Sequence, residues 1–190
     1  MSIHTTASPP VPSTNPEPCL ALPTSSLILD VFRGRPADVH PALAVPLGAA
    51  TQMVVHHGDQ WAAEMVSRDA AADDHVVAAA KRTIDVLNGL RVNLIGQIDS
   101  WVEGVVHVGE EVPLHTETVG SVIDRLAIAW VRWKRLDSND RRESLVVAPS
   151  PALRQLTELA AAYDNLVLDV HEGRRRLPNW RSLKSYRERR

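Results

Sequence analysis

One cysteine, Cys19, occurs among the 190 residues. No intramolecular disulfide can form, which fits a reducing compartment, and a cytoplasmic location is expected. No apolar run approaches the roughly 18 residues that a membrane span requires, so no membrane contact is expected. The opening segment MSIHTTASPP lacks both a basic stretch and an apolar one and does not read as a secretory signal. Familiar templates of chemistry are missing as well. There is no glycine-rich phosphate loop and no nucleophile elbow. No Cys/His spacing fits zinc, and the Glu-x-x-His pairs of di-iron bundles are absent. His56, His57, His115 and Glu117 remain as metal-ligand types. His56 and His57 are neighbours, however, and point about 100° apart on a helix, which does not suit a shared ion. Neither a metal nor another cofactor is expected.

What is present is ordinary for a globular protein: 44% hydrophobic and 23% charged residues, with a net charge of −2. The length suits one domain with a sizeable core and some extension. The charge is unevenly placed. Residues 172–190 carry eight Arg or Lys against Glu172 and Glu188, a balance of +6, so the remainder carries −8. Such a tail can meet phosphates or an acidic partner, or it can simply neutralise the protein's own acidic body. Without a recognised binding module, specific nucleic-acid reading is not expected.

Six of the 13 prolines fall in residues 1–24 amid many Ser and Thr. Residues 1–40 therefore read as a disordered arm holding one short apolar element, SSLILDVF, which ends at Phe32 and suits a strand or a turn of helix. Residues 41–176 read as a helical bundle domain and 177–190 as a basic tail, with LPNW breaking the pattern at Pro178. A first helix is expected from near Pro46 to about Arg68, its inner stripe formed by Ala50, Met53, Val54, His57, Trp61, Glu64 and Met65. After the DAADD turn, with Asp73 or Asp74 as cap, a long helix runs to about Val105. A third opens at Thr116 or Thr118 and is apolar on nearly every side, which marks a central, buried helix. Asp137–Ala148 reads as a polar loop. Ser150 and Pro151 then start a last helix with the seam Leu156, Leu159, Tyr163, Leu166 and Val170. With no convincing strand pairs, the fold class is an all-α bundle of about four main helices.

The long helix carries the sharpest signal. Val77, Ala80, Ile84, Leu87, Arg91, Leu94, Ile98, Trp101 and Val105 alternate in steps of three and four, the spacing of a helix packed along its whole length. Eight of the nine are apolar and the ninth is Arg91. An arginine in such a seam requires a partner. Glu64 on the first helix and Asp124 on the third are the candidates. Asn88 flanks Arg91 one turn back, and Asp99 lies two turns on. His57 and Glu64 are two turns apart on one face, as are Glu117 and Asp124 on the third helix. Buried Arg–carboxylate pairs can serve only to fix helix register. Polar groups converging from three helices can equally line a small-ligand cavity. The segment HTETVGSVIDRL offers a second feature, a helix N-terminus with Gly120 and Ser121 in its first turn, which suits an anion or ordinary capping.

Three blocks carry a resemblance: HHGDQWAAE at His56–Glu64, KRTIDVLNGLRVNLIGQID at Lys81–Asp99, and HTETVGSVIDRLAI at His115–Ile128. They resemble the signature blocks of the bacterial domain of unknown function 4254 family, over about Val45 to Arg176. The resemblance implies an all-helical fold and carries no established activity. It implies that the family's polar signature falls on His57, Trp61, Glu64, Asp85, Asn88, Arg91, Asp99, Glu117, Asp124 and Arg125. One departure is visible: the family's Arg-Asn pair is interrupted here, with Val92 after Arg91 and Asn93 one place later.

Two functions fit these residues. In the first, an interior pocket binds or processes an anionic metabolite bearing phosphate, carboxylate or sugar. Arg91 clamps the anion and Asn88 orients it, while His57 with Glu64 or Asp124 moves protons. Trp61, Asp99, Glu117 and Arg125 complete the expected ligand-binding set. In the second, the bundle and tail form a non-catalytic module that holds a partner protein, the inward charges acting as register devices. Self-association through the long helix is compatible with either.

Overall fold

Five helices make up the architecture in a computed structural model that describes residues 22–35, 40–140 and 149–179. The remainder of the expected arm, residues 141–148 and the expected basic tail from Trp180 onward lie outside the described residues; the first part of the expected Asp137–Ala148 loop is helical instead, as far as Asp140. The bundle is all-α, as the periodicity predicts. Among the described residues no helix is long and apolar enough to cross a membrane.

The SSLILDVF element is helix α1, Ser25–Phe32. Thr24 caps it by accepting from the Leu27 amide. Its apolar face sends Ile28 and Phe32 into the common core, where Phe32 meets Trp130 with ring centroids 6.1 Å apart. Two contacts bind its start to the other end of the chain. Asp164 accepts from the Ser25 amide at 2.8 Å and from its hydroxyl at 2.6 Å. The buried Tyr163 hydroxyl donates to the Pro23 carbonyl at 2.8 Å. Burial pushes the Tyr163 pKa well above its usual value, so the group stays a donor.

A short 3-10 turn, Pro41–Leu43, leads into α2, Ala44–Ser67. Pro46 sits in its first turn, where the missing N–H has no partner to lose. α2 packs most extensively against α3, Asp74–Val105, a helix of 32 residues. The α3 seam follows the sequence pattern through its middle, with Ala80, Leu87, Leu94 and Ile98 buried and Arg91 half-buried among them; in the last turns Val102 is buried in place of Trp101 and Val105, which are half-buried. α4, Val119–Asp140, contacts each of the other four helices. Its all-round apolar character is thus the signature of a central position. Thr118 caps it, accepting from the Ser121 amide at 3.2 Å.

Gly120 decides how closely α3 and α4 approach. A Cβ there would stand 2.6 Å from the Ile95 carbonyl oxygen and 2.7 Å from Asp99 Oδ1. Only a residue without a side chain fits. α5, Pro151–His171, begins as expected with Ser150 accepting from the Leu153 amide and Pro151 in the first turn. Just past its end, after Glu172, comes Gly173, whose φ of 67° is the left-handed stop that glycine allows. Beyond it, Asp169 takes hydrogen bonds from Arg174 and Arg175, which hold its carboxyl below the usual range. The chain then pairs with the α3–α4 connection, the His115 amide donating to the Arg176 carbonyl at 2.8 Å.

Candidate functional site

Three helices bring His57, Arg91 and Asp124 together. The helical face that buries Ala50 and Met53 on α2 also turns His57 inward, one turn beyond Met53. The seam of α3 delivers Arg91. On α4, Asp124 follows the buried Ile123 and is itself only 2% exposed. Of the two carboxylates expected to meet Arg91, Asp124 is the one that does. Its Oδ1 lies 2.9 Å from Arg91 Nε and 2.9 Å from His57 Nε2, and its Oδ2 accepts from Arg91 Nε at 3.0 Å. One buried carboxylate therefore serves both cations or donors, as a buried acid must.

The way each partner binds leaves chemistry unspent. Arg91 approaches side-on through Nε, and its two terminal nitrogens make no hydrogen bond among the described residues. The side chain keeps 35% of its exposure. His57 points Nε2 at Asp124, so its neutral form carries the proton there and holds a lone pair on Nδ1. Nδ1 has no partner among the described residues. Both side chains line a cleft of about 470 Å³. Trp61, Ile128, Val131 and Leu136 supply its apolar walls, and Gln60, Glu64, Arg68 and Arg132 its polar ones. The volume lies in the range of small-ligand sites, and apolar walls with few aimed polar groups are typical of them.

Glu64 does face this cleft, but it belongs to its own helix: Arg68 donates to it at 2.9 Å and Gln60 at 3.3 Å. Its charge is largely answered there. Arg132 makes no hydrogen bond or ion pair with any described residue. Arg68 and Arg132 are site residues that the sequence reading did not single out. Their signals were present: Arg68 is four residues after Glu64, and Arg132 is eight after Asp124, two turns along one face.

Other expected members lie elsewhere. Asn88 is half-buried near Arg91 and does not line the cleft. Asp99 is buried at the start of α4, where its Oδ1 accepts from the Gly120 amide at 2.8 Å. The helix N-terminus that suited an anion is thus met by a carboxylate of the chain itself. Asp99 also borders a smaller cavity of about 120 Å³ with Glu103 and Arg176, apart from Arg91. Glu117 and Arg125 pair with each other at 2.6 Å on the outside of α4. Asp85 is exposed on α3. No group of three or more His, Cys, Asp or Glu is arranged to hold a metal among the described residues.

Fold and site together define an all-α bundle with a buried His–Asp–Arg cluster opening on a cleft. The family model described as "Protein of unknown function (DUF4254)" matches residues 48–179, and the chain belongs to that family. The matched span contains α3, α4, α5 and nearly all of α2, and with them every residue of the cluster. No curated protein and no solved structure matches the chain.

Proposed function

We propose that the cleft binds an anionic small metabolite, bearing phosphate, carboxylate or a phosphorylated sugar, and that His57 exchanges a proton with it. The observation that carries this reading is the half-used guanidinium of Arg91, held by Asp124 through Nε with both terminal nitrogens left over beside the cleft. A guanidinium fixed on one side presents its other N–H groups in the fork that suits a carboxylate or phosphate. Arg132 adds positive charge, while Arg68 and Glu64 balance each other, and Trp61 offers a flat wall for the body of the ligand. Asp124 fixes the orientation of His57 through the hydrogen bond at Nε2, which leaves Nδ1 as the atom that takes up and returns a proton. A single cysteine suits a reducing compartment such as the cytoplasm for this work.

Thermal melting of the wild type and Arg132→Gln against inorganic phosphate, nucleotides, sugar phosphates and dicarboxylates tests this. Arg132 is exposed, so the unliganded variant should melt like the wild type. A true ligand at a hundred times its dissociation constant stabilises by about 2.7 kcal/mol. Loss of Arg132 should weaken it about tenfold, or about 1.4 kcal/mol. Unchanged melting with every anion would remove the reading.

A second reading, a module that holds a partner protein or a second copy, has its own observation. Val76, Val86 and Leu90 stand exposed along one face of α3, Val86 at 63%. Light scattering across a hundredfold concentration range checks self-association. A constant monomer mass counts against a second copy on this face.

A further inference from the structure

A second cleft, of about 180 Å³, lies between α4 and α5. It and the larger cleft share two residues of α4, Ile128 and Arg132. Ile128 is 40% exposed, an apolar side chain left open on the ridge between them. Arg132 stands one turn further along that ridge, with no hydrogen bond or ion pair among the described residues. The floor is Ala129 of α4 with Leu159 of α5, and the polar group on the α5 side is Gln155. The Gln155 amide also has no partner among the described residues. At the far end Arg125 is already held by Glu117.

We propose that the two clefts form one site, and that its ligand is an anion substituted on both sides: a diphosphate-linked conjugate whose charge lies between Arg91 and Arg132. This rests on the reading of the larger cleft as an anion site and names its substrate class. A terminal phosphate would call for the free cation at the closed end of a cleft. Here the free cation stands on the ridge where two clefts meet, so the anion belongs mid-molecule with a group to each side. The larger cleft, walled by Trp61, takes a planar body such as a nucleoside. The smaller takes a neutral group about the size of one sugar ring. Apolar Ala129 and Leu159 would lie against its carbon face, and the Gln155 amide can both donate to and accept from its hydroxyls. No carboxylate lines this smaller cleft, so nothing there repels the neighbouring phosphates.

Isothermal titration with AMP, ADP and ADP-ribose tests the extension. The wild type should bind ADP-ribose at least tenfold more tightly than ADP. Gln155→Ala removes the amide from an exposed position, and Leu159→Trp fills the smaller cleft. Both should erase that gain while leaving AMP binding as it was. Equal affinity for ADP and ADP-ribose, or a gain over ADP that survives both substitutions, would overturn the extension and leave the larger cleft intact as an anion site. No binding of any of the three also overturns it. In that case the melting response to the wider anion panel tells whether the reading of the larger cleft falls with it.

Discussion

Asp124→Ala should lower the unfolding free energy by about 2–4 kcal/mol. Breaking a fully buried ion pair typically costs about 3–5 kcal/mol, because the surviving charge is left without a partner. Arg91 is not fully buried; with 35% of its side chain exposed it can turn toward water, which trims the penalty. The carboxylate removed from a site at 2% exposure leaves a small cavity, which adds to it. Asp124→Asn separates the terms. The amide keeps the volume and one acceptor oxygen but removes the charge opposite Arg91, and its NH₂ meets a donor. A loss of about 1–2 kcal/mol is expected. Urea denaturation measures both, with the midpoint moving and the slope unchanged. A shift below about 0.5 kcal/mol for the alanine variant, the size of an ordinary surface change, would show that the cluster does not help hold α2, α3 and α4 together.

Gly120→Ala should be as damaging, for a steric reason. Its Cβ would meet the Ile95 carbonyl oxygen and Asp99 Oδ1 at 2.6 and 2.7 Å, and the first of these is backbone. α4 must withdraw from α3, and the Asp99 hydrogen bond to the Gly120 amide is stretched with it. A cost of about 3 kcal/mol is expected, at the upper end of overpacking effects. Gly89→Ala on α3 is the matched control. Nothing lies within 4 Å of a Cβ there, so the change relieves only the entropy of an exposed helical glycine. It should stabilise by about 0.5–1 kcal/mol. Opposite signs for the two glycines, read from thermal or chemical unfolding, is the expected result. Equal small effects would contradict the close approach of the two helices.

Much of this was legible because helices report their own buried face. The three-four spacing through Arg91 announced a packed seam, and the packed seam announced a charge in need of a partner. The all-round apolar run of α4 announced its central place. What stayed hidden is tertiary. Helical periodicity put Asp99 near the edge that Arg91 shares, yet it could not show that α4 begins against that side chain and uses it as a cap. Glu117 and Arg125, seen as inward candidates, satisfy each other outside. Glu64 was read for Arg91 when its own helix held Arg68 one turn away, a pairing that local spacing does offer. Arg132 reads as a solvated charge until the clefts on both sides of α4 are known. SSLILDVF was ambiguous in isolation, since eight apolar-rich residues suit either strand or helix. Ile28, Phe32 and the Ser25–Asp164 contact settle it as a helix docked in the core.

The last of those contacts bears on how the protein is made. Ser25 and Asp164 are 139 residues apart, and Pro23 and Tyr163 are 140 apart. A ribosome adding roughly 5–20 residues per second separates the two ends by roughly 7–28 s. During that interval the start of α1 has been synthesised and the α5 residues that hold it have not. Folding of this bundle cannot finish in the order in which it is translated: the start of α1 is among the last pieces to be secured.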